Sequence, residues 1–131
     1  MDPIADMLTK IRNASLRGHE YVDVAFSNMK YSIAKILKDE GYVRGVKTFV
    51  DEKKRRFIKI YMAYNEEGKS VISELKKISK PGRRVYVKVK DVKALKRNPL
   101  AVMVLSTPKG IMTDREALEK NVGGEAILLV W

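Results

Sequence analysis

Apolar residues recur along this chain in two rhythms, and each change of rhythm marks a new element. Ile4, Met7, Leu8 and Ile11 follow helical spacing and predict a first helix. Asp2 is placed to cap it, Pro3 suits its first turn, and Gly18 is its expected stop. The period then falls to two, with Val22, Val24 and Phe26 alternating with Tyr21, Asp23 and Ala25, as in a strand. Ser27 should cap a second helix whose buried stripe is Met29, Ile33, Ile36 and Leu37, closed by Gly41. Strands over 43–50 and 57–64 follow, joined by a polar turn at 51–56. In the second of these, Ile58, Ile60, Met62 and Tyr64 point one way, and Lys59 and Tyr61 the other.

Beyond Asn65 the pattern loosens. The polar run 65–69 predicts a turn and a domain boundary. Ile72, Leu75 and Ile78 predict a short helix over 71–78, ended by Pro81-Gly82. A strand should follow that pair, and another, apolar on both faces, should span 101–106. Thr113 and Glu116 have the spacing of a capping box, and Gly123-Gly124 would close the helix they open. A final strand covers 125–131. The expected fold is α/β of the α+β type in two small domains. Residues 1–65 read α-β-α-β-β. Residues 66–131 form a mixed α/β domain with short helices and a three- to four-strand sheet.

Charge changes this picture from a fold to a partner. The 131 residues carry 27 Lys and Arg against 16 acids, a net charge of +11. Ten of the bases, with one acid, fall within residues 76–97; the rest of the chain holds 17 bases and 15 acids. So local an excess calls for an anionic partner, nucleic acid or membrane. No apolar run is long enough to span a bilayer, and the opening residues show no secretory pattern. The absence of cysteine excludes disulfides and fits a cytoplasmic protein.

The strand expected after Pro81-Gly82 turns Val85, Val87 and Val89 to a core, and Arg84, Tyr86, Lys88 and Lys90 outward. Bases interleaved with a ring suit phosphates and a ribose or base. The loop Ser106-Thr107-Pro108-Lys109-Gly110 offers two hydroxyls, an ammonium and backbone amides, but it is also ordinary turn composition. Gly123-Gly124 is first a helix cap; bare backbone open to RNA is the second option. Trp131 belongs to core packing. His19 is the single histidine, Asp114 and Glu116 suit a helix N-terminus, and Asp51-Glu52 and Glu66-Glu67 sit in turns. No acid–base pair, nucleophile or metal-ligand spacing emerges, so neither catalysis nor a cofactor is expected. An RNA-processing enzyme lacks its motif here, and a peripheral membrane protein lacks apolar groups beside its charges.

Three long motifs carry a resemblance. Asp2-Pro3-Ile4-Ala5-Asp6-Met7-Leu8-Thr9-Lys10-Ile11-Arg12-Asn13-Ala14 opens the first helix. Ile78-Ser79-Lys80-Pro81-Gly82-Arg83-Arg84-Val85-Tyr86-Val87 makes the basic strand. Ser106-Thr107 with Lys109-Gly110, Met112-Thr113-Asp114-Arg115-Glu116-Ala117 and Val122-Gly123-Gly124-Glu125 follow in order. Nearly end to end, the chain resembles the bacterial small-subunit ribosomal proteins numbered eight. The resemblance implies a two-domain, ribonucleoprotein component of the cytoplasmic ribosome, a monomer when free. It would bind a central-domain helix of small-subunit rRNA early in ribosome assembly, contact neighbouring small-subunit proteins, and bind a similar fold in its own operon mRNA to repress translation. It places Ser106, Thr107, Lys109, Gly124 and Glu125 at the RNA with Tyr86 nearby, and puts Pro3, Arg12, Ser27 and Lys30 near RNA as well. Pro108 stands where the family usually has a second Ser, which removes a hydroxyl and a backbone donor. Pro99-Leu100-Ala101 stands where Gly-Leu-Gly is usual, which implies a different turn.

Overall fold

The computed structural model describes residues 2–131, and the chain divides into two compact units, Pro3–Ile72 and Asp2 with Ser73–Trp131. In the first unit, helix α1 (Pro3–Arg17) precedes β1 (Tyr21–Ala25), α2 (Asn28–Asp39), β2 (Val43–Val50) and β3 (Arg56–Met62). The α-β-α-β-β order is the one expected. Both helices end as their glycines dictate. Gly18 (φ +69°) and Gly41 (φ +83°) take the left-handed turn, and the next amides, His19 and Tyr42, donate back to Ala14 and Leu37 carbonyls. Ser27 caps α2, accepting from the Lys30 amide at 3.1 Å.

The three strands form an antiparallel sheet in the order β1-β3-β2. Val24, Ile58, Ile60 and Met62 are buried along with the helix stripes of Leu8, Ile11, Ile33 and Leu37. Tyr64 stays with that inner set, its hydroxyl reaching the Ala14 and His19 carbonyls; burial raises its pKa above the ordinary phenol value. Residues 65–69 make a turn held by the Asn65 side chain, which accepts from the Glu67 and Lys69 amides. The chain then runs back along the first unit, with Val71 donating to Ala63.

The second unit departs from expectation at its start. No helix forms over 71–78; Leu75–Lys77 is a strand, β4, paired antiparallel with the last strand, β8 (Gly124–Val130). Leu75 is buried, but Ile72 and Ile78 only partly, so the helical spacing of those three residues never became a buried helical stripe. The amides of Ser73 and Glu74 instead donate to the Trp131 carbonyl. The β8 ladder therefore decides between helix and strand here. After a turn at Pro81-Gly82, the basic strand is short: β5 is Tyr86–Val87. Its neighbours keep the predicted alternation in burial, with Val85, Val87 and Val89 half-buried and Arg84, Tyr86, Lys88 and Lys90 exposed.

A 3-10 turn (Val89–Asp91) and helix α3 (Val92–Lys96) follow, neither of them expected, seated by buried Val92. Strand β6 (Val102–Thr107) then runs to β7 (Gly110–Thr113), so the polar loop is the tip of a hairpin. Helix α4 (Asp114–Lys120) has the predicted capping box, Thr113 accepting from the Glu116 amide. Among the described residues the sheet has five strands, in the order β4-β8-β6-β7 with β5 also on β8. Two strands lie beyond those located in the sequence: β4, the segment expected to be helical, and β7, which takes up the end of the polar loop and the residue that caps α4. Val102–Leu105 and 126–130 are buried throughout, so the two central strands form the core of this unit.

Candidate nucleic-acid interface

Register brings three distant residues into one row. Glu125 at the start of β8 pairs with Tyr86 of β5 on one side and Ser106 of β6 on the other. Facing partners on adjacent antiparallel strands share a sheet face, so Tyr86, Glu125 and Ser106 line up across it. The neighbouring row holds Val87 opposite Gly124, with Thr107 opposite Gly110 at the hairpin end.

The two glycines are there for space. Neither Gly123 nor Gly124 has a positive φ; the left-handed residue that closes α4 is Asn121 (φ +53°), which corrects the expectation of a glycine cap. A Cβ on Gly123 would lie 2.5 Å from the Val87 carbonyl oxygen. One on Gly124 would overlap the Ser106 carbonyl and meet Thr107 Cα at 3.0 Å. The bare backbone is thus required by the protein's own strands, which close tightly over β8 and bring Tyr86 and Ser106 near one another.

Glu125 faces inward more than outward. Its Oε2 accepts from the hydroxyl of fully buried Ser79 and from Arg84 Nη1 at 3.0 Å. Ser79 Oγ also accepts from the Val85 amide at 3.2 Å, and its carbonyl accepts from Lys77 Nζ. Burial alone would raise the Glu125 pKa, but the Ser79 hydroxyl, the Arg84 guanidinium and the Lys77 charge outweigh it and hold the group below the ordinary 4.5. Glu125 thereby ties the basic segment to β8 and fixes the strand that presents Tyr86, whose side chain is 71% exposed. Ser79 and Lys77 were not foreseen as site residues. A lone serine beside a Pro-Gly turn carries no sequence signal for such a role.

At the hairpin tip the Thr107 hydroxyl donates to the Gly110 carbonyl (2.8 Å) and accepts from the Lys109 amide (3.1 Å). Gly110 takes the positive φ (+118°) that closes the turn. Thr107 is thus a turn clasp, while Ser106 Oγ has no hydrogen-bond partner among the described residues and Pro108 and Lys109 are exposed. The free polar groups at this end are therefore Ser106, Lys109 and Tyr86.

A family model described as ribosomal protein S8 matches residues 2–131 of the chain. The chain belongs to the ribosomal protein S8 family. It is 50% identical to the small ribosomal subunit protein uS8 of Streptococcus uberis and 51% identical to that of Clostridioides difficile, in each case over 99% of this chain and 97% of the relative. As an S8 protein it is a structural constituent of the small ribosomal subunit in the cytoplasm, and not an enzyme. No helix among the described residues is long and apolar enough to cross a membrane.

In this S8 chain the basic stretch is sorted by packing. Eight of the ten bases in residues 76–97 are exposed, and two are drawn inward. Lys77 is held by Ser79, and Lys96 forms an ion pair with Asp114 at 2.9 Å, both side chains largely buried. The turn before β6, at Pro99-Leu100-Ala101, is built on Asn98, whose side chain accepts from the Leu100 amide. The N-terminal residues do not gather in one cluster. Pro3 and Arg12 lie on α1, nine residues and roughly 13 Å of helix apart. Ser27 and Lys30 meet at the start of α2, where Lys30 Nζ donates to the Ala25 carbonyl (3.3 Å). Arg12 donates to Thr9 Oγ1 at 3.4 Å.

Proposed function

We propose that this S8 protein binds a helix of the central domain of small-subunit rRNA, mainly through its C-terminal unit, and helps to nucleate subunit assembly. The observation that carries this reading is the row of exposed Tyr86, anchored Glu125 and unpartnered Ser106 beside the Thr107-clasped turn. A-form RNA presents a shallow minor groove of hydroxyls and irregular bases, which small polar groups on a rigid turn can reach. The exposed bases on the flanking segment supply attraction without sequence preference. Arg84 and Lys88 steer the backbone, Tyr86 stacks on a base or ribose, and Ser106, Lys109 and the backbone about Pro108, Gly110 and Gly124 meet the groove. Glu125 and Thr107 act by holding those groups in place. Pro3, Arg12, Ser27 and Lys30 make a secondary contact from the first unit. Neighbouring small-subunit proteins complete its surroundings; free, it is a monomer. A matching fold in its own operon mRNA would make it a translational repressor.

The test is binding to a central-domain hairpin and to a scrambled RNA of equal length across a salt series. Wild-type protein should prefer the hairpin even at high salt. Thr107→Ala with Lys109→Ala should weaken hairpin binding by about tenfold or more and lower the salt slope by about one. Unchanged hairpin affinity in that variant would remove the turn from the interface.

A further inference from the structure

The first unit has an open sheet face with an unusual composition. Because α1 and α2 cover the side of Val24, Ile58 and Ile60, the alternate residues are left outside. Register arranges them in three rows across β1, β3 and β2: Tyr21–Tyr61–Gly45, Asp23–Lys59–Lys47 and Ala25–Phe57–Phe49. Two aromatic rows thus flank a cationic one. Tyr21 and Tyr61 meet edge to face at 6.1 Å, and Phe49 and Phe57 stack at 5.4 Å. Lys59 Nζ lies 4.0 Å from the Tyr21 ring centre and 5.3 Å from that of Phe49. Arg44 and Lys47 approach the Tyr61 ring at 5.2 and 5.8 Å, and Arg55 the Phe57 ring at 5.7 Å. Gly45, at the end of its row, places no side chain beside Tyr61, where a Cβ would touch the ring at 3.6 Å.

The charges are costly as they stand. Lys47 and Lys59 face each other directly across β2 and β3, a like-charge pairing that weakens a sheet. The acids of this region cancel it only in part. Glu20 pairs with Arg44 at 3.6 Å and Asp51 with Arg55 at 2.9 Å, which leaves Asp23 beside Lys59. A bound anion would relieve the repulsion. An anion that also carries flat rings would use the aromatic rows.

We propose that this open face is a second RNA-binding surface, which takes an unpaired stretch of RNA by stacking bases on Tyr21 and Tyr61 while Lys47 and Lys59 hold its phosphates. Rings alternating with bases on an antiparallel sheet suit single strands, whose bases are free to stack; a duplex hides them. The surface lies in a different unit from the Tyr86–Ser106 row and does not depend on that assignment.

The test uses the full chain carrying Thr107→Ala and Lys109→Ala, so that binding at the C-terminal turn is suppressed. The probe is a ten-nucleotide oligoadenylate, with a duplex of equal length as control, followed by NMR. Oligoadenylate should shift the resonances of Tyr21, Lys47, Phe49, Phe57, Lys59 and Tyr61 more than the duplex does. Tyr61→Leu should weaken binding about tenfold while Tyr61→Phe retains it, as stacking requires. Lys47→Gln separates binding from folding, because it should reduce affinity while leaving thermal stability equal or higher. Shifts confined to residues 73–131, or equal affinity in Tyr61→Leu and wild type, would overturn the proposal. So would RNA cross-links absent from this face in assembled subunits while a protein neighbour cross-links there, which would make it a protein-docking surface.

Discussion

The two units solve the same problem, an antiparallel sheet with few helices, in opposite ways. In the first unit β3 alternates buried and half-exposed residues, so one whole face stays outside. In the second, β8 is buried from Ala126 to Val130 and β6 from Val102 to Leu105, so neither central strand has an open face to offer. Polar chemistry there is pushed to strand ends: Tyr86, Ser106, Glu125 and the turn at residues 107–110. The difference shows that burial pattern decides where a small basic protein can present its contacts. An alternating sheet presents a platform, and a sheet with buried central strands presents an edge.

The glycines divide along the same line, which yields the largest expected effect. Gly41 needs its left-handed backbone and has open space around it, whereas Gly124 has ordinary backbone and no space. Gly124→Ala should cost about 3 kcal/mol, because the Ser106 carbonyl it meets is ladder backbone that cannot swing aside. Gly41→Ala should cost only about 1 kcal/mol, the strain of a left-handed residue with a Cβ. Urea denaturation followed by far-ultraviolet circular dichroism measures both losses, and the fluorescence of Trp131, the single tryptophan, reports on the second unit alongside it. A smaller loss for Gly124→Ala than for Gly41→Ala would mean that β6 and β8 give way easily, and the contrast between rigid edge and open platform would fail.

This contrast also explains what could be read in advance. The first unit was legible because its apolar periods are clean: Ile4 to Ile11, Ile33 to Leu37, and Ile58, Ile60 and Met62. The start of the second was not. Ile72, Leu75 and Ile78 keep a helical spacing that the hydrogen-bonding demand of β8 overrides. Side-chain types and the turn at residues 106–110 pointed to the C-terminal interface proposed above, and the alternation at 84–90 predicted which residues face out. What sequence could not show was the row itself, because Tyr86, Ser106 and Glu125 become neighbours only through the registers of β5 and β6 on β8. The Ser79–Glu125 contact and the tight approach at Gly123-Gly124 are likewise three-dimensional. So is the aromatic face of the first unit, which needs three strands in register.

Helix caps give a smaller and more even comparison. Ser27→Ala and Thr113→Ala each remove a side-chain acceptor from a helix N-terminus, at Lys30 and Glu116 respectively, and each should cost about 1 kcal/mol. The consequences should differ. Ser27 caps the 12-residue α2, which keeps its buried stripe of Ile33, Ala34, Ile36 and Leu37. Thr113 caps the 7-residue α4, whose single buried residue is Ala117. Amide hydrogen exchange should therefore show α4 opening throughout in Thr113→Ala, with α2 frayed only at its first turn in Ser27→Ala. Equal protection along both helices would show that α4 is held by more than its cap and Ala117.

The smallest effect, a dependence on pH, sets one carboxylate of each unit against the other. The Arg55 amide lowers the pKa of Asp51 below the ordinary 3.8; burial opposes the shift, and the Arg55 side chain and Lys53 amide add to it. For Glu125, burial opposes a lowering made by Ser79, Arg84 and Lys77. Both folded values lie below the unfolded ones, so each group binds protons more readily in the unfolded chain. The stabilisation each gives is complete above its unfolded value and disappears as pH falls through the folded one. Stability should therefore decline below about pH 4.5, the ordinary value for Glu125. Glu125→Gln should flatten that decline more than Asp51→Asn, since Glu125 bonds a fully buried hydroxyl and Asp51 lies in an exposed turn. Urea titrations at neutral pH and at successively lower pH measure both slopes. A steeper change in Asp51→Asn would place the acid-sensitive joint in the β2–β3 turn and leave Glu125 a minor part of the edge it is argued to hold.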